Sequence, residues 1–370
     1  MAFFILLGIP LVLAVLGFIL LKGITWKEFV LQMAAQLLVA GCSAAAIYTS
    51  NTTDTEIWNG VVTSKERDRV SCSHSYECHC RTVTECYGSG KNRHCSPRRR
   101  CQTCYEHSND WNWNVQTSLN ETITITRVDR QGVHPPPRWS EVRRGEPTAS
   151  EHSYTNYIKA APDTLFRHQG LREKFKGLIP TYPEEVHDYY RLRRLVLVNG
   201  ATVQDPEAWN DALSVVNGKI GHRKQANAVL VLAKGVPADY FYALEEAWIG
   251  GKKNDVILVV GVDAQLKPRW ALVMAWTLNE LFKIKLRDDI MALPVLTKDN
   301  VVGALETNVS RYYKRKPMAD FDYLQASITP TTTQWLLSLM FGLLVAGALA
   351  YFCHRNDIFN EDWRKTGRHR

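Results

Sequence analysis

The sequence predicts an α/β protein carried on a membrane: a three-layer α/β/α sandwich, a small Cys-rich β module and three transmembrane helices. Three observations predict it. Phe3–Leu21, Phe29–Tyr48 and Trp335–Phe352 carry no charge, and each is long enough to span a bilayer at about 1.5 Å per residue. From Leu195 onward, short apolar runs alternate with helical stripes. Between these regions, seven of the nine cysteines fall within Cys72–Cys104. At 370 residues the chain has room for two or three domains, and its net charge of +8 suits an anionic partner without requiring one.

The membrane segments are read first. Met1-Ala2 offers no basic n-region, so a cleaved signal is not expected. Lys22 and Lys27 lie in the first loop, and Arg355, Arg364, Lys365, Arg368 and Arg370 lie in the tail. Basic residues stay in the cytoplasm. Residues 1–48 are therefore expected to hold two spans joined by a cytoplasmic loop, 331–353 a third, and 354–370 a basic cytoplasmic tail. The large region 49–334 then faces the periplasm or the cell exterior of an inner-membrane, multi-pass protein. Gln32 and Gln36 share a helix face and can bond a neighbouring helix; Gly342, Ala346 and Ala350 repeat every four residues, the small-residue face that lets membrane helices meet.

Residues 49–130 read as the β module. Trp111, Trp113 and Val115 alternate with polar residues, Thr122–Thr126 alternates isoleucine with threonine, and Leu119-Asn120 between them suits a hairpin turn. Residues 131–194 read as linker and lead-in, with Pro135-Pro136-Pro137, Gly145 and Pro147 breaking regular structure.

The α/β domain is expected over 195–316. Leu195–Val198, Ala228–Leu232, Val256–Val262 and Trp270–Trp276 are its strands, the last two close enough for an antiparallel hairpin. Helices are expected from Pro206 with a stripe of Trp209, Leu213, Val216 and Ile220, from Pro237 to Trp248, over Leu278–Met291 and over Asn300–Tyr313. Gly250 and Gly251 suit the left-handed closure of a helix. Val256–Val260 is apolar on both faces, as a central strand covered on both sides must be.

Trp248-Ile249-Gly250 through Lys253-Asn254-Asp255 into an apolar strand, followed by Ile290 through Pro294 to Gly303-Ala304-Leu305, resembles the TPM domain family of bacteria and chloroplasts. The resemblance covers roughly residues 195–316. It implies an α/β/α sandwich outside the cytoplasmic membrane, with phosphatase-like or metal-binding activity in some members. The chain departs from the family at two turns: Asp255-Val256 replaces Asn-Gly, and Ala275-Trp276-Thr277-Leu278-Asn279-Glu280 replaces a Gly-x-Gly-Leu-Glu turn. A β-branched residue resists the positive φ that glycine allows, so the departures predict a domain used for binding without catalysis.

Two constellations can carry chemistry. Asp255, Asp263 and Glu280 fall near strand or helix ends and form the expected cation- or ligand-binding set, since carboxylates there can hold a divalent metal. In the cysteine cluster, Cys101-x-x-Cys104 has the spacing that puts two thiolates on one metal, and Cys78-x-Cys80 can supply the other pair. His74, His79, His94 and His107 stand among them. A structural zinc at Cys78, Cys80, Cys101 and Cys104 and a disulfide framework are both open readings. Arg98-Arg99-Arg100 makes the module basic, yet an exported module meets little nucleic acid, so nucleic acid is not the expected partner.

The expected function is a membrane protein with a binding or scaffolding role in the envelope. Its expected partners are the bilayer, an envelope protein and a second copy through the third span. The alternatives are a metal-dependent phosphatase-like hydrolase of the envelope and a membrane-tethered zinc-ribbon nucleic-acid binder of inverted topology.

Overall fold

The computed structural model describes residues 8, 12, 15–19, 25–88, 93–161, 165, 170–183, 186, 187 and 191–356. The first expected span, Phe3–Leu21, lies largely outside these residues, as does the tail beyond Asn356. Helix α1, Trp26–Thr52, starts with a capping box. The Thr25 hydroxyl accepts the Glu28 N–H at 3.4 Å, and the Glu28 carboxylate accepts the Thr25 N–H at 2.9 Å. Glu28, Gln32, Gln36 and Ala40 recur at helical spacing and are all buried, so the polar stripe seen in the sequence faces protein.

No loop follows α1. Thr53 turns to extended backbone, and the chain runs directly into strand β1, Thr53–Val70. At about 3.3 Å per residue such a strand is roughly 60 Å long. Beyond it, β2 (Ser75–Tyr87) and β3 (His94–Tyr105) pair only with each other, as a largely exposed antiparallel arm. The chain then re-enters the first sheet as β4 (Asp110–Thr117), turns at Leu119-Asn120 as expected, and forms β5 (Thr122–Ile125).

Residues 131–150 are no bare linker. A short helix over Pro137–Glu141 brings Trp139 edge-on to Trp113 at 4.6 Å, and Val142 joins Val62, Val115 and Ile125 in a small core. Strand β6, Pro147–Thr155, then pairs along the half of β1 that adjoins α1. The sheet order is β5-β4-β1-β6.

The second sheet contains β7 (Leu195–Val198), β8 (Asn227–Lys234), β9 (Asp255–Val262) and β10 (Pro268–Ala275) in the order β10-β9-β8-β7. The first three strands are parallel, and β9–β10 is the expected antiparallel hairpin. Helices α2 (Pro206–Lys224), α3 (Tyr240–Ala247), α4 (Leu281–Met291) and α5 (Lys298–Tyr312) cover it. Alternate strand residues point to opposite faces. Leu230, Leu258 and Val260 pack with the stripes of α2, α4 and α5, while Val229, Val231, Ile257 and Val259 pack with α3 and Trp248. The result is the three layers expected.

Helix α6, Thr332–Asn356, returns to lie against α1. Asn51 at the end of α1 donates to the Thr329 carbonyl at 3.3 Å and accepts from Gln334 at 2.7 Å. The body-side ends of the two helices are thereby tied. Both α1 and α6 are long and apolar enough to cross a membrane. Gly342 is buried and Ala346 and Ala350 half-buried on α6.

The two sheets share one interface. Helix α2 lies on β1 and β6, and Gly221 and Gly218 permit the approach. A Cβ at Gly221 would sit 2.6 Å from Asn59 Cβ and 2.9 Å from its carbonyl carbon. Alanine there gains about 1 kcal/mol in helix propensity, but it meets backbone that cannot yield. Gly221→Ala should therefore destabilise the protein by about 1–3 kcal/mol, the usual cost of overpacking. Gly303→Ala on α5, where a Cβ meets nothing within 4 Å, should stabilise by about 0.5–1 kcal/mol. Denaturant titration of both variants in detergent reads the two signs.

Candidate functional site

The three carboxylates expected to bind a ligand do not assemble. Asp255 opens β9 and Asp263 follows its last residue, so they lie at opposite ends of an eight-residue strand, roughly 26 Å apart by strand rise. Asp255 is completely buried and fully engaged. Its Oδ1 accepts from Asn227 at 2.8 Å, and its Oδ2 from the Tyr182 hydroxyl and the Lys252 N–H, each at 2.7 Å. Burial pushes its carboxyl above the usual carboxylate range, against the pull of these hydrogen bonds. Asp263 accepts the Gln265 and Lys267 N–H groups of its own turn and pairs with Arg269 at 3.1 Å. Those turn amides, Lys267 first, hold its carboxyl below the usual range. Glu280 is exposed at the start of α4 and pairs with Lys283 at 2.9 Å. The first is a structural acceptor, the second a turn cap and the third a surface ion pair.

Asp255 belongs to a polar seam between the sheets. Asn59 of β1 donates to Asn227 at 3.0 Å, Asn227 donates to Asp255, and Asn254 donates to the Ile57 carbonyl at 2.6 Å. Arg315 reaches both oxygens of Glu56. Nearer α1, Asp54 accepts from Lys252 and Asn156, each at 2.7 Å. Burial alone would raise the Asp54 carboxyl, but the Lys252 and Asn156 bonds bring it below its ordinary value. A cleft of about 690 Å³ opens beside Asp54, lined also by Lys159, Arg172, Tyr182, Trp248 and Lys252.

The cysteine cluster resolves differently from a four-thiolate zinc site. Cys78 pairs with Cys104, Cys80 with Cys101 and Cys86 with Cys95, all across β2–β3. A disulfide sulfur has no thiolate to give a metal, so Cys78, Cys80, Cys101 and Cys104 are not zinc ligands here. Register explains the pairing. Cys86 stands directly opposite Cys95, and the register shifts by one residue between Cys78 and Arg81. His79 is the extra residue, at φ 47°, and that bulge brings Cys80 opposite Cys101.

The seventh cysteine of the cluster is left over. Cys72 is buried at the root of the arm, where the chain leaves β1 and re-enters β4. Its Sγ lies 3.9 Å from His74 Nδ1 and 3.7 Å from His107 Nδ1. Asp110, completely buried, completes the group: its Oδ2 is 3.6 Å from His74 Nδ1 and its Oδ1 3.3 Å from His107 Nδ1. All four donor atoms lie within 4.8 Å of one another, a set that can hold a metal ion. Cys72, His74 and His107 were visible in the sequence as part of the cluster. Asp110 was not, because it lies beyond the last cysteine and no ligand spacing singles it out.

No family model, no curated protein and no solved structure matches this chain.

Thiol counting tests the pairing. In denaturant with chelator but no reductant, Cys42, Cys72 and Cys353 should be the three reactive thiols. Reduction should raise the count to the chain's nine. Nine reactive thiols before reduction would restore the zinc reading at Cys78, Cys80, Cys101 and Cys104.

Proposed function

We propose that this is a membrane-anchored binding protein of the cell envelope, which holds a rigid basic arm away from the bilayer to engage a partner. The observation that carries the reading is the set of three disulfides in one exposed hairpin. Disulfides persist in oxidising compartments, which supports the body lying outside the cytoplasm, as the basic loop and tail also argue. A two-stranded hairpin without a core is marginal in water; the cross-links supply the rigidity that packing does not.

Geometry gives the arm its reach. β1 leaves the membrane helix directly, and the arm starts at its far end. The arm carries six Lys or Arg against two Glu over residues 75–105, with Tyr76, Tyr87 and Tyr105 exposed on it. Rigid aromatic side chains among basic ones suit an acidic partner in the envelope. The engaged state of Asp255 supports the use of the layered second sheet as a scaffold. The hydrolase alternative needs carboxylates that converge, and Asp255, Asp263 and Glu280 are separately committed.

A photoreactive side chain placed at Tyr76 or Tyr87 in intact cells should form adducts with an envelope component, and one at Gly303 on the body should not. Reversing Arg98, Arg99 and Arg100 to glutamate should lower the arm adducts several-fold while leaving the three disulfides intact. Equal adducts at Gly303, or arm adducts indifferent to the charge reversal, would refute the arm as the binding element.

A further inference from the structure

The exposed hairpin is cross-linked along its length, yet nothing covalent fixes its angle to the body. The chain crosses from sheet to arm at residues 71–74 and back at 106–109, and the backbone ties there are few: Glu106 N–H to the His74 carbonyl at 3.0 Å and the Ser73 N–H to Asp110 Oδ2 at 3.4 Å. Cys72, His74, His107 and Asp110 stand at these two crossings.

Their separations are those of ligands around one ion. Zinc binds sulfur at about 2.3 Å and imidazole or carboxylate at about 2.0–2.2 Å in tetrahedral structural sites. The edges of such a tetrahedron are roughly 3.3–3.8 Å long. Cys72 Sγ lies 3.9 and 3.7 Å from the Nδ1 atoms of His74 and His107, and Asp110 Oδ1 lies 3.3 Å from His107 Nδ1, three separations close to such edges; the 3.6 Å contact of His74 Nδ1 is with the other oxygen, Oδ2. An N–H···O hydrogen bond spans about 2.7–3.2 Å, so the contact between His107 Nδ1 and Asp110 Oδ1 is too long to be a good hydrogen bond but suits a ligand edge. Both rings present Nδ1 to the same point and stand at 84° to each other.

The aspartate supplies the independent observation. Asp110 Oδ1 is buried and has no hydrogen-bond donor among the described residues, a costly state for a carboxylate oxygen. Its other oxygen accepts from Arg127 Nη1 at 3.0 Å, and Arg127 is itself held by the Asn112 side chain at 2.7 Å. One oxygen is thus fixed from behind and the other is directed into the cluster, the arrangement by which outer hydrogen bonds orient a metal ligand. We propose that Cys72, His74, His107 and Asp110 form a structural zinc site that clamps the arm to the body.

The donor chemistry selects the ion. One thiolate, two imidazoles and one carboxylate form a borderline-soft set, unlike the all-oxygen shells of magnesium and calcium. A thiolate and a carboxylate balance the two charges of zinc, and Arg127 offsets nothing the ion needs because it binds the outer oxygen. Four protein donors fill a tetrahedron, so the site is closed and its role structural. The histidine side chains are 25% and 26% exposed, and clefts flank the site on the His74 and the Cys72–His107 sides, which gives the ion a path in. The site also accounts for a thiol that stays unpaired beside three disulfides.

This inference is independent of what the arm binds. The test uses the full chain purified in detergent without chelator. It should contain about one zinc, the stoichiometry of a closed four-ligand site, and Cys72→Ser and His107→Ala should each lose it while keeping all three disulfides. The wild type, stripped by chelator and reloaded with cobalt, should show the intense visible bands of a tetrahedral centre and a thiolate-to-cobalt band that Cys72→Ser lacks. Zinc retained in both variants, no metal uptake by the wild type, or a disulfide-linked dimer through Cys72 would overturn the proposal. Because the disulfide count and the arm adducts are separate readouts, loss of the metal claim leaves the binding reading standing or falling on its own data.

Discussion

The structure depends on a buried chain of hydrogen bonds from Asn59 through Asn227 to Asp255 and Tyr182. An unpaired amide or carboxylate at this depth costs about 1–3 kcal/mol or more, so the chain is stable only when every member is placed. That requirement sets the register of β1 against the start of β8 and β9. Asn254 to the Ile57 carbonyl and Arg315 to Glu56 repeat the constraint on either side. The close approach at Gly218 and Gly221 satisfies it sterically. A one-residue slip of β1 would turn Asn59 and Glu56 away from their partners.

Once β1 is fixed, both of its ends are fixed. One end is the membrane helix, because α1 passes into β1 without a loop. The other is the root of the arm. The body therefore stands between α1 and the hairpin. The arm has little apolar core and relies on its disulfides, which close chain separations of 26, 21 and 9 residues. Each such closure is worth about 2–4 kcal/mol in isolation, but the three are nested, so their contributions do not add.

Sequence periodicity revealed the second sheet well, because Val229–Leu232 and Val256–Val260 are buried on both faces and need no partner to declare themselves. The first sheet was less legible. β1 mixes Asp54, Glu56 and Asn59 with apolar residues, and its buried polar side chains look like surface until their partners, some 100–260 residues away, are known. The prolines at 135–137 read as a linker, whereas Trp139 and Val142 just after them supply core, and β6 carries no apolar alternation to announce it. The cysteines gave both a zinc and a disulfide reading, since spacing alone cannot reveal a register shift at His79. The carboxylates were found, but the structure does not bring them together. Asp255 looked like a site residue and is a structural acceptor, while Asp110 beside Cys72 went unseen because the two meet only after β1 and β4 pair.

The central claim is that the half of β1 that adjoins α1 and the α/β sheet form one cooperative body. Native-state hydrogen exchange in a lipid nanodisc, followed by mass spectrometry across a denaturant series, measures this most directly. The account predicts that amides of residues 53–62 and of β8 and β9 exchange through one common opening, with the same dependence on denaturant. Exchange of 53–62 at markedly lower denaturant, with β8 and β9 still protected, would contradict it.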